Sequence, residues 1–382
     1  MKKRKVMLSV MLAVFMLILA ACGKAANENT AGDVTNGNAD TASTAKNDET
    51  QAEEPMKIVL SHQPYSHGLP SYIGDIEGMF EEAGIDVEIL MFTSGPAQNE
   101  ALGADEWDVG AMGSPPSIMG AIAYDSKVIA FSAPDTEAVS IWARDDSEIA
   151  KFSGKVDGYP EILGDAGSWK GKTILCPTST SAHFTLMATL EKMGLTDSDV
   201  EIIDMAVPQA YTAFKSGQGD IVCLWDPQGF YAEEEDWTCI SSGKATGEVM
   251  PTVVVASAKA IAEKPEVIEA WLDVYLQASE KYSDKLDEQA QLLLDFGLEN
   301  GLDLDYDTAY KSAAKRPLPS LDDEIRMFSG NYGEREVDLA MEKVIDFFVA
   351  QGKIEESDKQ ALIDNGFIDG QFIDRLAKKY GK

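Results

Sequence analysis

Lys172-Thr173-Ile174-Leu175-Cys176-Pro177-Thr178-Ser179-Thr180-Ser181 is the stretch on which the fold turns. Lys172 to Cys176 predicts a strand, Pro177 cannot continue a ladder, and four hydroxyl residues follow at the point where a helix would begin. His183 to Met193 carries helical spacing, and Val200 to Met205 reads as another strand. A strand, a helix and a strand so close together form a βαβ unit, which requires a parallel pair.

The same alternation extends in both directions. Upstream, Lys57 to Leu60, Ile85 to Phe92 and Trp107 to Ala111 read as strands, and Ser71 to Ala83, Ala97 to Ala104 and Ser117 to Tyr124 as helices. Downstream, Asp220 to Trp225 and Trp237 to Ile240 read as strands, with helices at Gln209 to Ser216 and Gly229 to Glu234. Val128 to Ala133 and Ala138 to Ala143 are strand-like and suit a crossing between the two series, and Thr252 to Ala256 suits a return. After Glu266 the chain reads as helical, with apolar spacing in Ile268, Trp271, Leu272, Tyr275 and Leu276 and again in Val337, Met341, Val344 and Phe348. These patterns predict an α/β protein of two lobes, with C-terminal helices packed on the first.

Of 382 residues, 32 are basic and 65 acidic, a formal charge of -33. A face that neutralises nucleic-acid phosphates needs lysine and arginine in excess, so nucleic acid is excluded as a partner. Lys2-Lys3-Arg4-Lys5 and the apolar stretch from Val6 to Ala20 form a secretory signal too short to span a membrane comfortably. Without those basic residues the mature chain carries 28 basic and 65 acidic side chains and a charge of -37. Gly23 to Glu54 holds one valine and no aromatic residue, so it cannot bury enough surface to offset its ordering entropy and is expected to be a flexible tether. Cys176, Cys223 and Cys239 sit in apolar runs with no metal or redox spacing and are expected to be small core residues.

In open α/β sheets a ligand sits beyond the carboxyl ends of the strands, where helix N-termini point into a crevice. Four strand ends carry that signal: Phe92 into Thr93-Ser94-Gly95-Pro96, Gly113 into Ser114-Pro115-Pro116, Cys176 into Pro177 and its hydroxyls, and Trp225 into Asp226-Pro227. Ser114 and Asp226 have the chemistry of helix caps, with proline following at the first position. Hydroxyls and free N–H groups at helix starts bind oxyanions.

Ser168-Trp169-Lys170-Gly171-Lys172, the Thr178 to His183 run, Leu190-Glu191-Lys192-Met193-Gly194-Leu195, Gly217-Gln218-Gly219-Asp220 and Trp225-Asp226-Pro227 together resemble the sulfonate/taurine/nitrate-type substrate-binding proteins of ABC importers. Gly78-Met79-Phe80 before Gly84-Ile85, and Trp107-Asp108-Val109-Gly110, agree. The resemblance implies a type II periplasmic-binding fold that closes over one small solute, without a cofactor or metal and without catalysis, and hands it to a membrane permease. It implies residues 1–21 as a lipoprotein signal, a lipid on Cys22 of the Leu19-Ala20-Ala21-Cys22 lipobox, and a tether over 22–54. The first lobe would span 55–140 and 249–382 and the second 141–248, in a monomer anchored outside the cell membrane. By matching position it assigns the solute's acidic head to Ser66, His67, Ser94, Gly95, Gly113, Ser114, Pro115, Thr180, Ser181 and His183, with Trp225 as a wall and Asp226 facing the amine of a zwitterion.

None of the five arginines of the mature chain lies in a predicted cleft loop, so the anion would be held by neutral donors unless Arg316 folds back to the cleft. The polar and aromatic loop Ser61 to His67 leaves an aromatic or heterocyclic solute open, including a pyrimidine precursor of thiamine. His62, His67 and His183 raise a metal receptor as a rival, although two histidines separated by four residues in a loop do not fix a ligand geometry. The same fold includes pyrimidine-precursor synthases, an enzymatic rival, but their cysteine cluster is missing here, as are a Ser-His-Asp order and a phosphate-binding glycine loop.

Overall fold

The computed structural model of the chain describes residues 55–382. The expected signal, Cys22 and the tether to residue 54 lie outside the described residues. Strands β1 (Met56–His62), β2 (Ile85–Met91), β3 (Val109–Gly113) and β4 (Lys127–Pro134) belong to one sheet, and β5 (Val139–Arg144), β6 (Thr173–Cys176), β7 (Glu201–Asp204), β8 (Ile221–Trp225) and β9 (Trp237–Ser242) to another. β10 (Pro251–Ala256) returns to the first sheet.

The first sheet has the order β2-β1-β3-β10-β4, and the second β7-β6-β8-β5-β9. β1 runs parallel to β2 and β3, and β6 parallel to β7 and β8, as their βα connections require. β10 is antiparallel to both β3 and β4, and β5 antiparallel to both β8 and β9. The chain crosses between sheets from Pro134 to Val139 and again from Ser242 to Pro251. All six residues of β10 are buried, which accounts for its run of valines: a central strand covered on both faces has no need of alternation.

Several boundaries differ from expectation for local reasons. The helix expected over Ser71 to Ala83 is two helices, Leu69–Ile76 and Met79–Glu82, because Gly78 adopts φ +71° between them. The helix starts lie two to three residues earlier than periodicity suggests, at Gly95, Ser114, Ser181 and Val207, because the first turns open on glycine, serine or a proline pair (Gly95-Pro96, Ser114-Pro115-Pro116, Ser181-Ala182, Val207-Pro208) that does not read as helical spacing. Cys176 and Cys223 are buried free thiols on the adjacent strands β6 and β8. Cys239 is not a core residue. It is exposed on β9, an edge strand on which side chains alternate between faces and Ile240 takes the buried side.

The C-terminal helices cover the free side of β4. The buried Glu324 carboxyl group accepts the Phe131 N–H through Oε2 at 3.0 Å, and Val128 exchanges bonds with Phe367 O at 2.9 Å and Asp369 N at 2.8 Å. These contacts occupy an edge that would otherwise offer unpaired backbone groups. The Glu336–Ala350 helix also reaches the second sheet's helix Ser181–Lys192, where Phe184 packs on Phe347 and Phe348 with ring centroids 4.4 and 5.8 Å apart. Ile268, Trp271, Leu272, Tyr275 and Leu276 are buried on the Pro265–Tyr282 helix as their spacing predicts.

Candidate functional site

A cleft of about 420 Å³ opens between the carboxyl ends of the two sets of strands. The first sheet supplies Gln63, Tyr65 and His67 from the loop after β1, Gly95, Gly113 and Pro116 from helix starts, and Thr252 from β10. The second side supplies Thr180, Ser181 and Trp225. Asp135, in the crossing, and Arg316, beyond the Tyr306–Lys315 helix, complete the lining.

The loop after β1 is fixed by a buried amide. Gln98 Nε2 donates to Ser61 O and Ser61 Oγ, each at 3.0 Å, and to Ala111 O at 3.2 Å, while its Oε1 accepts from Gln63 Nε2 at 2.8 Å. One side chain thus joins β1, β3 and the cleft loop. Tyr275 Oη donates to His67 O at 3.0 Å from the opposite flank.

Three helices begin at the cleft, and their first N–H groups have no intrahelical acceptor. Ser94 occupies the cap position of the Gly95–Leu102 helix and Thr180 that of the Ser181–Lys192 helix, both without a side-chain capping bond. Thr180 Oγ1 donates instead to Pro177 O at 2.7 Å. Ser114 is not the cap expected of it: Gly113 holds that position, and Ser114 is the first helical residue with its Oγ buried and unpartnered. Pro115 and Pro116 therefore fall at the second and third positions, and as they lack N–H groups this helix contributes Pro116 as wall more than as donor.

On the aromatic side, Tyr65 meets His67 edge-on at 6.1 Å and Trp225 edge-on at 6.3 Å, so one ring links loops of both sheets. Burial pushes His62 and His67 down to about 3, for His67 with the added charges of His62 and Arg316, and His183 down to about 4. All three imidazoles are neutral at physiological pH. His183 lies outside the cleft lining, and its Nδ1 accepts the Ser179 N–H at 3.2 Å. Among the described residues, no group of three or more histidine, cysteine, aspartate or glutamate side chains converges as metal ligands would.

Arg316 does fold back to the cleft. Its Nε and Nη2 donate to Asp135 Oδ1 at 3.0 and 2.6 Å, with both side chains nearly enclosed. Asp226 is not a helix cap: Pro227 takes the cap position of the Gln228–Ala232 helix, and Asp226 Oδ2 accepts from Lys315 Nζ at 3.1 Å. Asp226 and Ser66 face a smaller cavity of about 230 Å³, with Tyr65 and Arg316 as the partition between the two spaces. Burial pushes the Asp226 carboxyl up to about 6 against the opposing charges of Arg316 and Lys315.

Of the residues expected from sequence, the structure thus brings His67, Gly95, Gly113, Thr180, Ser181 and Trp225 together around one space. Ser66, Ser94, Ser114, Pro115, His183 and Asp226 stand beside it or behind it. Sequence reasoning missed Gln63, Tyr65, Pro116, Asp135 and Thr252 as lining residues. Only the polar and aromatic run Ser61 to His67 gave a signal for any of them.

A sequence profile of the NMT1-like family matches residues 51–293. The chain belongs to the NMT1-like family. A putative ABC transporter periplasmic binding protein of Brachyspira hyodysenteriae is 26% identical over 85% of this chain and 90% of its own length. A putative aliphatic sulfonates-binding protein of Bacillus subtilis is 28% identical over 58% of this chain and 63% of its own. The alkanesulfonate-binding protein of Xanthomonas axonopodis pv. citri, solved bound to MOPS, superposes with a TM-score of 0.62 at 20% identity, covering 80% of this chain and 96% of that one. The fold is the type II periplasmic-binding-protein fold that the sequence resemblance implies. Within this NMT1-like chain Asp135 lies inside the matched segment, whereas Lys315 and Arg316 lie beyond it.

Proposed function

We propose that this chain is the extracytoplasmic solute-binding component of an ABC importer, and that it captures a small organic anion or zwitterion of the sulfonate or taurine class. The observation that carries the reading is the convergence of helix starts at Gly95 and Ser181 and the Arg316 guanidinium on one cleft between two α/β lobes. Free N–H groups and a cation are what an oxyanion requires. The named relatives, an ABC periplasmic binding protein and an aliphatic sulfonates-binding protein, support it.

In this reading the lobes, 55–140 with 249–382 and 141–248, close about the two crossings, and the bound solute is delivered to a membrane permease. A lipid on Cys22 and the tether over 22–54 hold the monomer at the outer side of the cell membrane. No catalytic step is assigned to it. A second reading, an aromatic acid or a pyrimidine precursor as solute, is favoured by the Tyr65, His67 and Trp225 wall.

A thermal-shift screen of the mature protein against taurine, alkanesulfonates, nitrate, aromatic acids and pyrimidines tests both readings. A ligand at a hundredfold excess over its dissociation constant adds about 2.7 kcal/mol of stability. Stabilisation by sulfonates or taurine supports the first reading, and stabilisation by ring compounds alone supports the second. Stabilisation by divalent metals alone overturns both.

A further inference from the structure

The Asp135–Arg316 pair is only half used. Both guanidinium donors, Nε and Nη2, go to the same carboxylate oxygen, Oδ1. Asp135 Oδ2 and Arg316 Nη1 have no hydrogen-bond partner among the described residues, and neither is sealed away as His67 Nδ1 and Trp225 Nε1 are. The two unmet atoms are of opposite sign, and both residues line the cleft.

Charge across the lining points the same way. Asp135 and Arg316 are its charged side chains, His67 is held neutral by burial, and the lining as a whole carries no net charge. A bare anion would find its one cation already countered by Asp135, while a bare cation would meet the helix starts at Gly95 and Ser181. A solute bearing both signs leaves neither pole unmatched. Asp226, the carboxylate that the sequence offered for an amine, is engaged by Lys315 and faces the smaller cavity.

We propose that Asp135 and Arg316 are the two poles of the solute subsite, Arg316 Nη1 and the helix starts receiving an oxyanion and Asp135 Oδ2 receiving an ammonium group of the same molecule. The solute is therefore a small zwitterion, and selection for its amine resides in Asp135. This rests on the solute-binding reading above and narrows it.

Isothermal titration of the mature protein with matched pairs, taurine against ethanesulfonate and β-alanine against propionate, tests the proposal without any substitution. In at least one pair the aminated member binds on the order of tenfold or more tightly, the loss expected when a desolvated charge is left without its partner. Asp135→Asn, checked for an unchanged melting curve, then abolishes that preference. Equal or tighter binding of the amine-free members to the unsubstituted protein overturns the proposal while leaving the solute-binding reading intact, as does a preference that survives in a folded Asp135→Asn protein. Absence of binding by every member, together with a negative screen of all organic solutes, overturns the solute-binding reading and this one with it.

Discussion

Gly95 and Pro116 touch so closely that a Cβ on Gly95 would lie 2.3 Å from Pro116 Cγ. The two residues begin neighbouring helices on the cleft wall, and the missing side chain of one admits the ring of the other. Gly113, between them on the same wall, is different: its Cβ would meet Pro116 Cδ and Pro115 Cδ at 3.7 and 3.8 Å, an ordinary contact.

Gly95→Ala therefore forces the two helix starts apart and is expected to destabilise the protein by about 1–3 kcal/mol, the usual cost of overpacking. Gly113→Ala is expected to cost at most about 1 kcal/mol, the difference between glycine and alanine as a helix cap, and to weaken solute binding, because its methyl fits the protein and occupies cleft space. Melting curves and titration of both variants separate the effects, and a Gly95→Ala protein as stable as the parent would contradict the packing argument.

Gln98 makes four hydrogen bonds from inside the first sheet's helix layer, and a substitution leaves their partners buried and unmet. Gln98→Ala is expected to cost roughly 2–4 kcal/mol in urea unfolding. Solute affinity should fall as well, since Gln63 loses the bond that orients it at the cleft. A loss of stability with full affinity would show that the loop is positioned by Tyr275 and packing alone.

The three histidines make an acid limb to the stability profile. With folded values near 3 for His62 and His67 and near 4 for His183, and an unfolded value near 6.5, the unfolded chain binds the extra protons as pH falls. Stability is thus full above about 6.5 and lost progressively toward pH 4, by about 1.4 kcal/mol per unit for each group. Imidazole resonances of the folded protein should stay in the neutral form down to about pH 5, and one that titrates near 6.5 would refute its burial.

Glu324 has the opposite sign. Burial raises its carboxyl from 4.5 to about 8, so the folded state holds a proton that the unfolded chain has released, and stability falls as pH climbs from about 4.5 to 8. Its integrated effect is on the order of a few kcal/mol. Glu324→Gln should remove this alkaline loss while leaving the acid limb in place. Urea unfolding at several pH values measures both, and an unchanged alkaline slope in the variant would show that Glu324 is ionised in the fold.

The strands and the turns that lead from them into helices were legible because they are local: the valine run of β10 and the hydroxyls after β6 announce themselves within a few residues, whereas the order of strands in each sheet is set by long-range pairing. Asp135 was not legible, since nothing in Pro134-Asp135-Thr136 distinguishes a cleft residue from a connecting one until Arg316 arrives from far along the chain. Asp226 was misread as a cap because Asp-Pro is a good helix start by composition, whereas its burial beside Lys315 is a tertiary fact. Gly78 is the contrary case: the sequence carried the helix-breaking residue openly, and the apolar spacing on either side outweighed it.

β10 lies between β3 and β4 in the first sheet, whereas every strand of the second sheet is contiguous in the chain from Val139 to Ser242. A nascent chain that has emerged as far as Met250 already holds all strands of the second sheet and still lacks the middle partner of β3 and β4. Synthesis thus delivers the two halves of the cleft in reverse of their order in the sequence, the later-encoded half being the first that can be completed.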